Sequence, residues 1–294
     1  MLLALLLPNP QGVTTFVREE AGGGPEIPNE WDEWVAGWAM DEESGTRAAI
    51  ATSVCGNAGS DCDLADNAPV EDDQTNKVEG VGAALFVDGN DEFLDCANAT
   101  CDEITGISGS VSYFTFARTT ADTNVAWVGV VSGSSNEFGW MMYRKGSPDD
   151  WTVKIGDGSD EVDCTYATTH ALNTYYYQGF TMAGGATDEV QLYEDGAAAG
   201  SACAQQDMAA ASSDFMISSN YGGKLYMRGQ IDLSGVFDGE LTAAEHCYTC
   251  SCGPGNEFGC VADACEADGF SDYGQNVAQC GSCDMSSIDP CDPY

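Results

Sequence analysis

Val190-Gln191-Leu192-Tyr193-Glu194-Asp195-Gly196 is a strand-forming run that stops on Asp-Gly, and its reading decides the class of fold. Residues 189–194 carry the Val, Leu and Tyr that favour a pleated, half-buried strand. Asp195-Gly196 supplies the positive backbone φ that a tight hairpin requires. Outward from this hairpin the same pattern repeats. Residues 82–87, 111–118, 125–131, 139–144, 151–155 and 175–182 are further predicted strands, rich in Val, Tyr, Phe and Trp. Turn signals fall between them at Asp88-Gly89-Asn90, Asp157-Gly158 and Gly184-Gly185. The one helix expected is short, at residues 241–246, with Thr242 as cap and Glu245 three residues later. Many short strands with almost no helix predict an all-β, two-sheet antiparallel sandwich.

The charge is extreme. Nine Lys and Arg face 48 Asp and Glu, a formal net charge of −39. Such a surface repels nucleic acid phosphates and anionic head groups, so neither nucleic acid nor membrane insertion is expected. No run of about 20 apolar residues exists to span a bilayer. Fourteen cysteines, even in number and clustered, point to an oxidising compartment and to disulfides, hence to an extracellular or cell-surface protein. Cys55 with Cys62 and Cys96 with Cys101 are spaced to close small loops, and Cys164 with Cys203 to join neighbouring strands. Asn98-Ala99-Thr100 is a sequon for N-glycosylation.

Composition divides the chain into three parts. Residues 1–32 carry proline and a Gly22-Gly23-Gly24 triplet and are expected to form an extended N-terminal arm, a signal-sequence remnant or a strand donated to a neighbour. Residues 33–247 hold the strands. Residues 248–294 form a small disulfide-rich region that cannot bury a core of its own. Cys247, Cys250, Cys252, Cys260, Cys265, Cys280, Cys283 and Cys291 lie in or beside it. Their connectivity is open, because eight cysteines allow about 105 pairings. Cys247/Cys250 and Cys280/Cys283 also have the spacing of a four-thiolate zinc site.

Four landmarks along the chain carry a resemblance. Trp38-Ala39-Met40-Asp41-Glu42-Glu43-Ser44-Gly45-Thr46 resembles the opening W-x-F-D-E-x-S-G-T strand and turn of LamG-like jelly-roll domains. Gly82 to Gly89 is similar to their G-x-A-L-x-F-x-G strand. Residues 190–196 match the L-Y-x-D-G hairpin. Gly229-Gln230-Ile231-Asp232, followed by Leu241 to Glu245, is similar to the closing strand and helical turn. The chain departs from the family at Tyr175-Tyr176-Tyr177, where Trp-His is usual, and at Ala48-Ala49-Ile50-Ala51, which lacks an expected Asp. The resemblance implies a concanavalin A/laminin-G-like sandwich whose first and last strands lie together. It thereby implies structural calcium at Asp41, Glu42 and Asp232. Trp38, Phe86, Tyr193 and Ile231 are expected to point into the core.

Asp61, Asp63 and Asp66 form a second acidic cluster beside the predicted Cys55–Cys62 loop, and hard cations take such oxygens. Glycoside hydrolysis needs two carboxylates across one cleft. The nearest string, Glu30-Trp31-Asp32-Glu33-Trp34, precedes the predicted domain and lacks a third acid. His170 and His246 fit no G-x-S-x-G or HExxH pattern and are expected at the surface or in turns. Trp140, Trp151, Tyr175 to Tyr177, Tyr221 and Tyr226 are the aromatics available to a sugar. The chain is therefore expected not to be an enzyme. It is read as a calcium-stabilised structural subunit or adhesion module of a cell-surface or filament assembly, with other copies of itself or other surface proteins as partners. A lectin-like glycan-binding module is the alternative, and a glycoside hydrolase the least supported.

Overall fold

The computed structural model describes residues 34–38, 40, 45–47, 62–67, 70–72, 83–87, 92–121, 125–132, 138–145, 150–184, 189–204, 207–219, 226–243 and 245–246. The first strands are β1 (Trp34–Trp38), β2 (Ala65–Asn67), β3 (Glu71–Asp72), β4 (Ala84–Phe86) and β5 (Phe93–Cys96). The single-turn helix α1 (Asp102–Thr105) follows, then β6 (Val111–Thr119), β7 (Val125–Ser132), β8 (Phe138–Lys145), β9 (Asp150–Asp157) and β10 (Glu161–Ala167). The last are β11 (Tyr175–Ala183), β12 (Glu189–Glu194), β13 (Ala197–Ala204), β14 (Phe215–Ile217) and β15 (Gly229–Phe237).

These strands make the two antiparallel sheets that the sequence predicts. One runs β13-β12-β11-β6-β15-β4-β3, with β1 also paired to β15; the other runs β10-β9-β8-β7-β14-β5-β2. β7 to β10 and β11 to β13 follow one another within a sheet, while most of the remaining connections cross from one layer to the other, as in a jelly roll. The first and last strands do lie together: Trp38 is opposite Ser234.

Alternation decides what is buried between the layers. On β6 and β11, Tyr113 is opposite Phe180 and Val111 opposite Met182, and all four face the second sheet. Trp140 answers from β8, with ring centroids 5.5 Å from Tyr113, 5.2 Å from Phe180 and 6.2 Å from Phe215. Trp38 stacks on Phe215 at 5.3 Å, and its indole N–H donates to the Cys62 carbonyl at 2.9 Å. Trp38, Phe86 and Ile231 are in this core as expected.

Tyr193 is not. Its register partner is Gly179, itself opposite Phe114, and these residues face away from the second sheet. Tyr193 is nevertheless buried, because the 242–246 turn folds back over this outer face. His246 stacks on its ring at 3.9 Å. The turn forms by the local rule. Glu245 N–H donates to Thr242 Oγ1 at 3.2 Å, the Thr242 N–H donates to Glu245 Oε2 at 2.5 Å, and the His246 N–H reaches the Thr242 carbonyl at 3.0 Å.

Both histidines correct the expectation of a surface role, for both are buried. Thr181 Oγ1 donates to the Leu241 carbonyl at 2.7 Å, so it can only accept from His246 Nε2 at 2.9 Å. The proton therefore sits on Nε2, and Nδ1 accepts the Tyr177 hydroxyl at 2.7 Å. Burial holds His246 far below the ordinary range of an imidazole, at about 3. His246 is thus a neutral clamp. Gly179 beneath it leaves the room, since a Cβ there would lie 2.9 Å from the imidazole.

Two predicted disulfides are present. Cys96–Cys101 closes its small loop. Cys164–Cys203, with Cα atoms 5.8 Å apart, links β10 to β13 and so ties edge strands of opposite sheets rather than neighbours within one. Cys62 is disulfide-bonded. Cys55, the eight cysteines from Cys247 to Cys291, residues 1–33 and residues 247–294 lie outside the described residues.

Candidate functional site

Pairing sets one line of residues across the outer face of the seven-stranded sheet. Ala65 is opposite Asp95, Asp95 opposite Met216, Met216 opposite Gly129, and Gly129 opposite Met141. The line ends through Lys154 at Asp163. Met141 and Lys154 near its middle are buried, which leaves the accessible chemistry at its two ends.

At the β2–β5 end, Phe93 and Asp95 share the outward side of β5, two residues apart. Phe93 is opposite Asn67, and Asn67 Nδ2 donates to Asp95 Oδ1. Tyr226 stacks on Phe93 with centroids 6.2 Å apart. Asp214, just before β14, completes the group. Its Oδ1 accepts the Asn98 N–H at 2.8 Å, while Asn98 Oδ1 accepts the Thr105 hydroxyl at 2.5 Å. Burial first and the Asp214 charge second hold Asp95 above the usual carboxylate range, against the Asn67 hydrogen bond. Asn67, Phe93, Asp95, Asp214, Met216 and Tyr226 are all half-buried, neither sealed in nor flat on the surface. This group combines two aromatic rings, an amide and a carboxylate with lone pairs to spare.

At the β10 end, Lys154 Nζ lies 2.6 Å from Glu161 and 3.4 Å from Asp163. The Tyr143 hydroxyl donates to Asp163 at 3.3 Å, and burial with that neighbouring carboxylate pushes Tyr143 up to about 12. Glu161-Val162-Asp163 is an alternating pair of acids on one strand face, but both acids share a single ammonium.

The residues expected at sites are distributed as follows. Asp41, Glu42 and Asp61 lie outside the described residues, as does Tyr221. Asp63 is half-buried, and Asp66 on β2 spends its Oδ1 on the Val70 N–H at 3.0 Å. Asp232 is buried on β15 opposite Phe116, on the other sheet. Among the described residues no three His, Cys, Asp or Glu side chains gather as a metal site. Trp140, Trp151, Tyr175 and Tyr177 are buried, and Tyr176 packs on His170 with ring centroids 4.4 Å apart. Of the expected sugar-binding aromatics among the described residues, Tyr226 joins an accessible polar group. Asn67, Phe93, Asp95 and Asp214 were not foreseen; Phe93-Leu94-Asp95-Cys96 has the alternation of a strand and was the available signal.

A family profile described as the concanavalin A-like lectin/glucanases superfamily matches residues 88–245. No curated protein matches the chain. Among solved structures, domain 4 of the extracellular arabinanase AbnA from Geobacillus stearothermophilus, in complex with arabinotriose, superposes with a TM-score of 0.54. The identity is 14%, over 73% of this chain and 96% of that one. The CBM40 of the Ruminococcus gnavus IT-sialidase, bound to α2,3 sialyllactose, gives a TM-score of 0.47 at 11% identity, covering 55% and 93%. The receptor binding domain of botulinum neurotoxin type G gives 0.49 at 12%, covering 73% and 50%. The 0.54 match shows a shared fold. No helix among the described residues is long and apolar enough to cross a membrane.

Proposed function

The chain belongs to the concanavalin A-like lectin/glucanases superfamily, and on that premise we propose that it is a non-catalytic extracellular surface protein that binds glycan at Asn67, Phe93, Asp95 and Tyr226. The observation that carries this reading is the stacked Phe93–Tyr226 pair beside the Asn67–Asp95 amide and carboxylate. A pyranose has an apolar C–H face and a rim of hydroxyls. An aromatic face suits the first, and an Asp–Asn pair both accepts from and donates to the second. Binding sites of this kind need few polar groups, provided those groups are held in place. Here β-pairing on both sides of β5 holds them.

Support for a non-catalytic role comes from how the carboxylates are engaged. Asp214 ties down the Asn98 backbone, Asp95 holds Asn67, and Glu161 and Asp163 share Lys154. A glycosidase instead needs one acid kept ready to donate a proton across a cleft from a second. Support for an extracellular setting comes from disulfides such as Cys96–Cys101 and Cys164–Cys203, which persist in oxidising compartments. A surface protein that holds polysaccharide serves adhesion directly, so the adhesive reading is part of the same proposal.

Isothermal titration calorimetry against a panel of oligosaccharides tests the reading, with a reducing-end assay run on the same samples. The parent chain is expected to bind without releasing reducing ends. Phe93→Ala and Asp95→Asn are expected to weaken binding at least about tenfold, the worth of one stacking contact or charged hydrogen bond. Binding unchanged in both variants would discard the site, and hydrolysis would discard the non-catalytic assignment.

A further inference from the structure

We infer that Asn98 and Asp214 form a second subsite beside Phe93 and Asp95, so that the ligand is an oligosaccharide of at least two rings, an inference that rests on the glycan-binding reading above. The pair repeats the arrangement of the first subsite. There the Asn67 amide donates to one oxygen of Asp95. Here the Asn98 N–H donates to Asp214 Oδ1 at 2.8 Å, and the second carboxylate oxygen takes no part in that bond. Asp214 stands two residues before Met216, which is opposite Asp95, and the intervening Phe215 is buried. The two carboxylates are therefore diagonal neighbours on one face of the sheet. Such neighbours lie about 7–8 Å apart, too far for the adjacent hydroxyls of one ring but open to hydroxyls on successive rings.

Asn98 differs from an ordinary surface amide in how firmly it is held. Its Oδ1 accepts the buried Thr105 hydroxyl at 2.5 Å, which fixes the amide plane and leaves the two N–H groups of Nδ2 to an outside partner. The Cys96–Cys101 disulfide closes the loop that carries it. Within that loop the Ala97 carbonyl accepts the Thr100 and Cys101 N–H groups at 2.8 and 2.9 Å. The Thr105 carbonyl in turn accepts the Ala211 N–H at 3.1 Å, which ties the loop to the segment leading into Asp214. Asn98 and Asp214 are half-buried, while Ala97, Ala99 and Thr100 around them are exposed, so the pair is open to a ligand. An amide that donates beside a carboxylate that accepts suits sugar hydroxyls, each of which does both. Groups already fixed in position give up little freedom when the ligand arrives.

The experiment is calorimetry on the full, disulfide-intact chain with sugars taken as matched pairs: glucose and cellobiose, xylose and xylobiose, arabinose and arabinobiose. The chain is made in a host without N-glycosylation, because Asn98 Nδ2 is also the acceptor atom of the Asn98-Ala99-Thr100 sequon. At least one disaccharide is expected to bind about tenfold or more tighter than its monosaccharide, the worth of a charged hydrogen bond. Asn98→Asp keeps an acceptor for Thr105 and removes the amide donors, and Asn98→Ala removes them without adding charge. Both variants are expected to bring that disaccharide down to the level of its monosaccharide and to leave the monosaccharide unchanged. Phe93→Ala is expected to weaken both sugars. A monosaccharide that binds as tightly as its disaccharide, or Asn98 variants that lose nothing, would overturn the second subsite and leave the glycan-binding reading standing. Asn98 variants that weaken both sugars alike would overturn it too, by showing that Asn98 only supports the fold. Binding by none of the probes would overturn both readings.

Discussion

His246 joins the closing turn to the sheet, and replacing it with phenylalanine isolates what its protonation does. The parent ring is fully buried, stacked on Tyr193 and bonded at both nitrogens. Phe keeps the stack but removes both hydrogen bonds, including the one that His246 Nδ1 accepts from the buried Tyr177 hydroxyl. Each such loss costs about 1–3 kcal/mol, so His246→Phe is expected to cost roughly 2–4 kcal/mol at pH 7.

The pH dependence is the sharper part. Folding holds His246 neutral down to about pH 3, while the unfolded chain takes up a proton near the ordinary imidazole value of 6.5. The clamp's stability is therefore fully present above pH 6.5 and is lost as pH falls toward 3. At about 1.36 kcal/mol per pH unit, some 3 kcal/mol disappears between pH 6.5 and pH 4. Asp195 acts oppositely. Burial raises it to about 6, so its contribution improves as pH falls from about 6 toward 3.8 and flattens the parent's own profile. Both proteins contain Asp195, so it cancels in their difference. Urea denaturation of parent and variant at pH 7, 6, 5 and 4 reads that difference directly. The gap is expected to shrink from roughly 2–4 kcal/mol to near zero. A gap that stays constant to within about 0.5 kcal/mol would refute the assignment of His246 as a buried neutral clamp.

Two other outcomes follow from the fold and its charge. Replacing Cys164 and Cys203 together with alanine releases a link whose partners are 39 residues apart. A closed loop of that length is worth about 4 kcal/mol, and the loss is expected as a fall in the urea midpoint, with equal midpoints refuting the link. Calcium bound by Asp41, Glu42 and Asp232 would raise the melting temperature in millimolar Ca²⁺ over that in EDTA by several degrees, an increment removed by Asp232→Asn. Identical melting in Ca²⁺ and EDTA would dispose of that metal.

What could be read from the sequence is what depends on near neighbours. The strands β6, β8, β9, β11 and β12 are long and carry β-branched or aromatic residues, so local preference and pairing agree. Asp195-Gly196 turns with φ of 48° and 79°, as the hairpin demands. Thr242 and Glu245 cap the closing turn because a capping box needs only a four-residue span. The strand β13 is not legible in the sequence because AAAGSACA has little strand preference of its own; its pairing with β12 makes it a strand. β14 is equally hidden, because its three residues are made a strand by β5 and β7, which are far away in sequence.

Faces and sites belong to the tertiary structure alone. Alternation says that Tyr193 and Leu192 point opposite ways, yet not which one meets the second sheet. The His246 turn, arriving from 53 residues further on, makes the outward side a buried one too. Cys164 and Cys203 are spaced like partners within a sheet, and only the stacking of the two layers sets them across it. Asn67, Phe93, Asp95, Asp214 and Tyr226 come from separate stretches of chain, brought together because β2, β5 and β14 are neighbours in space. Hairpins and caps are chosen by contacts within a few residues, whereas a binding group is chosen by strand order, which no short stretch of sequence contains.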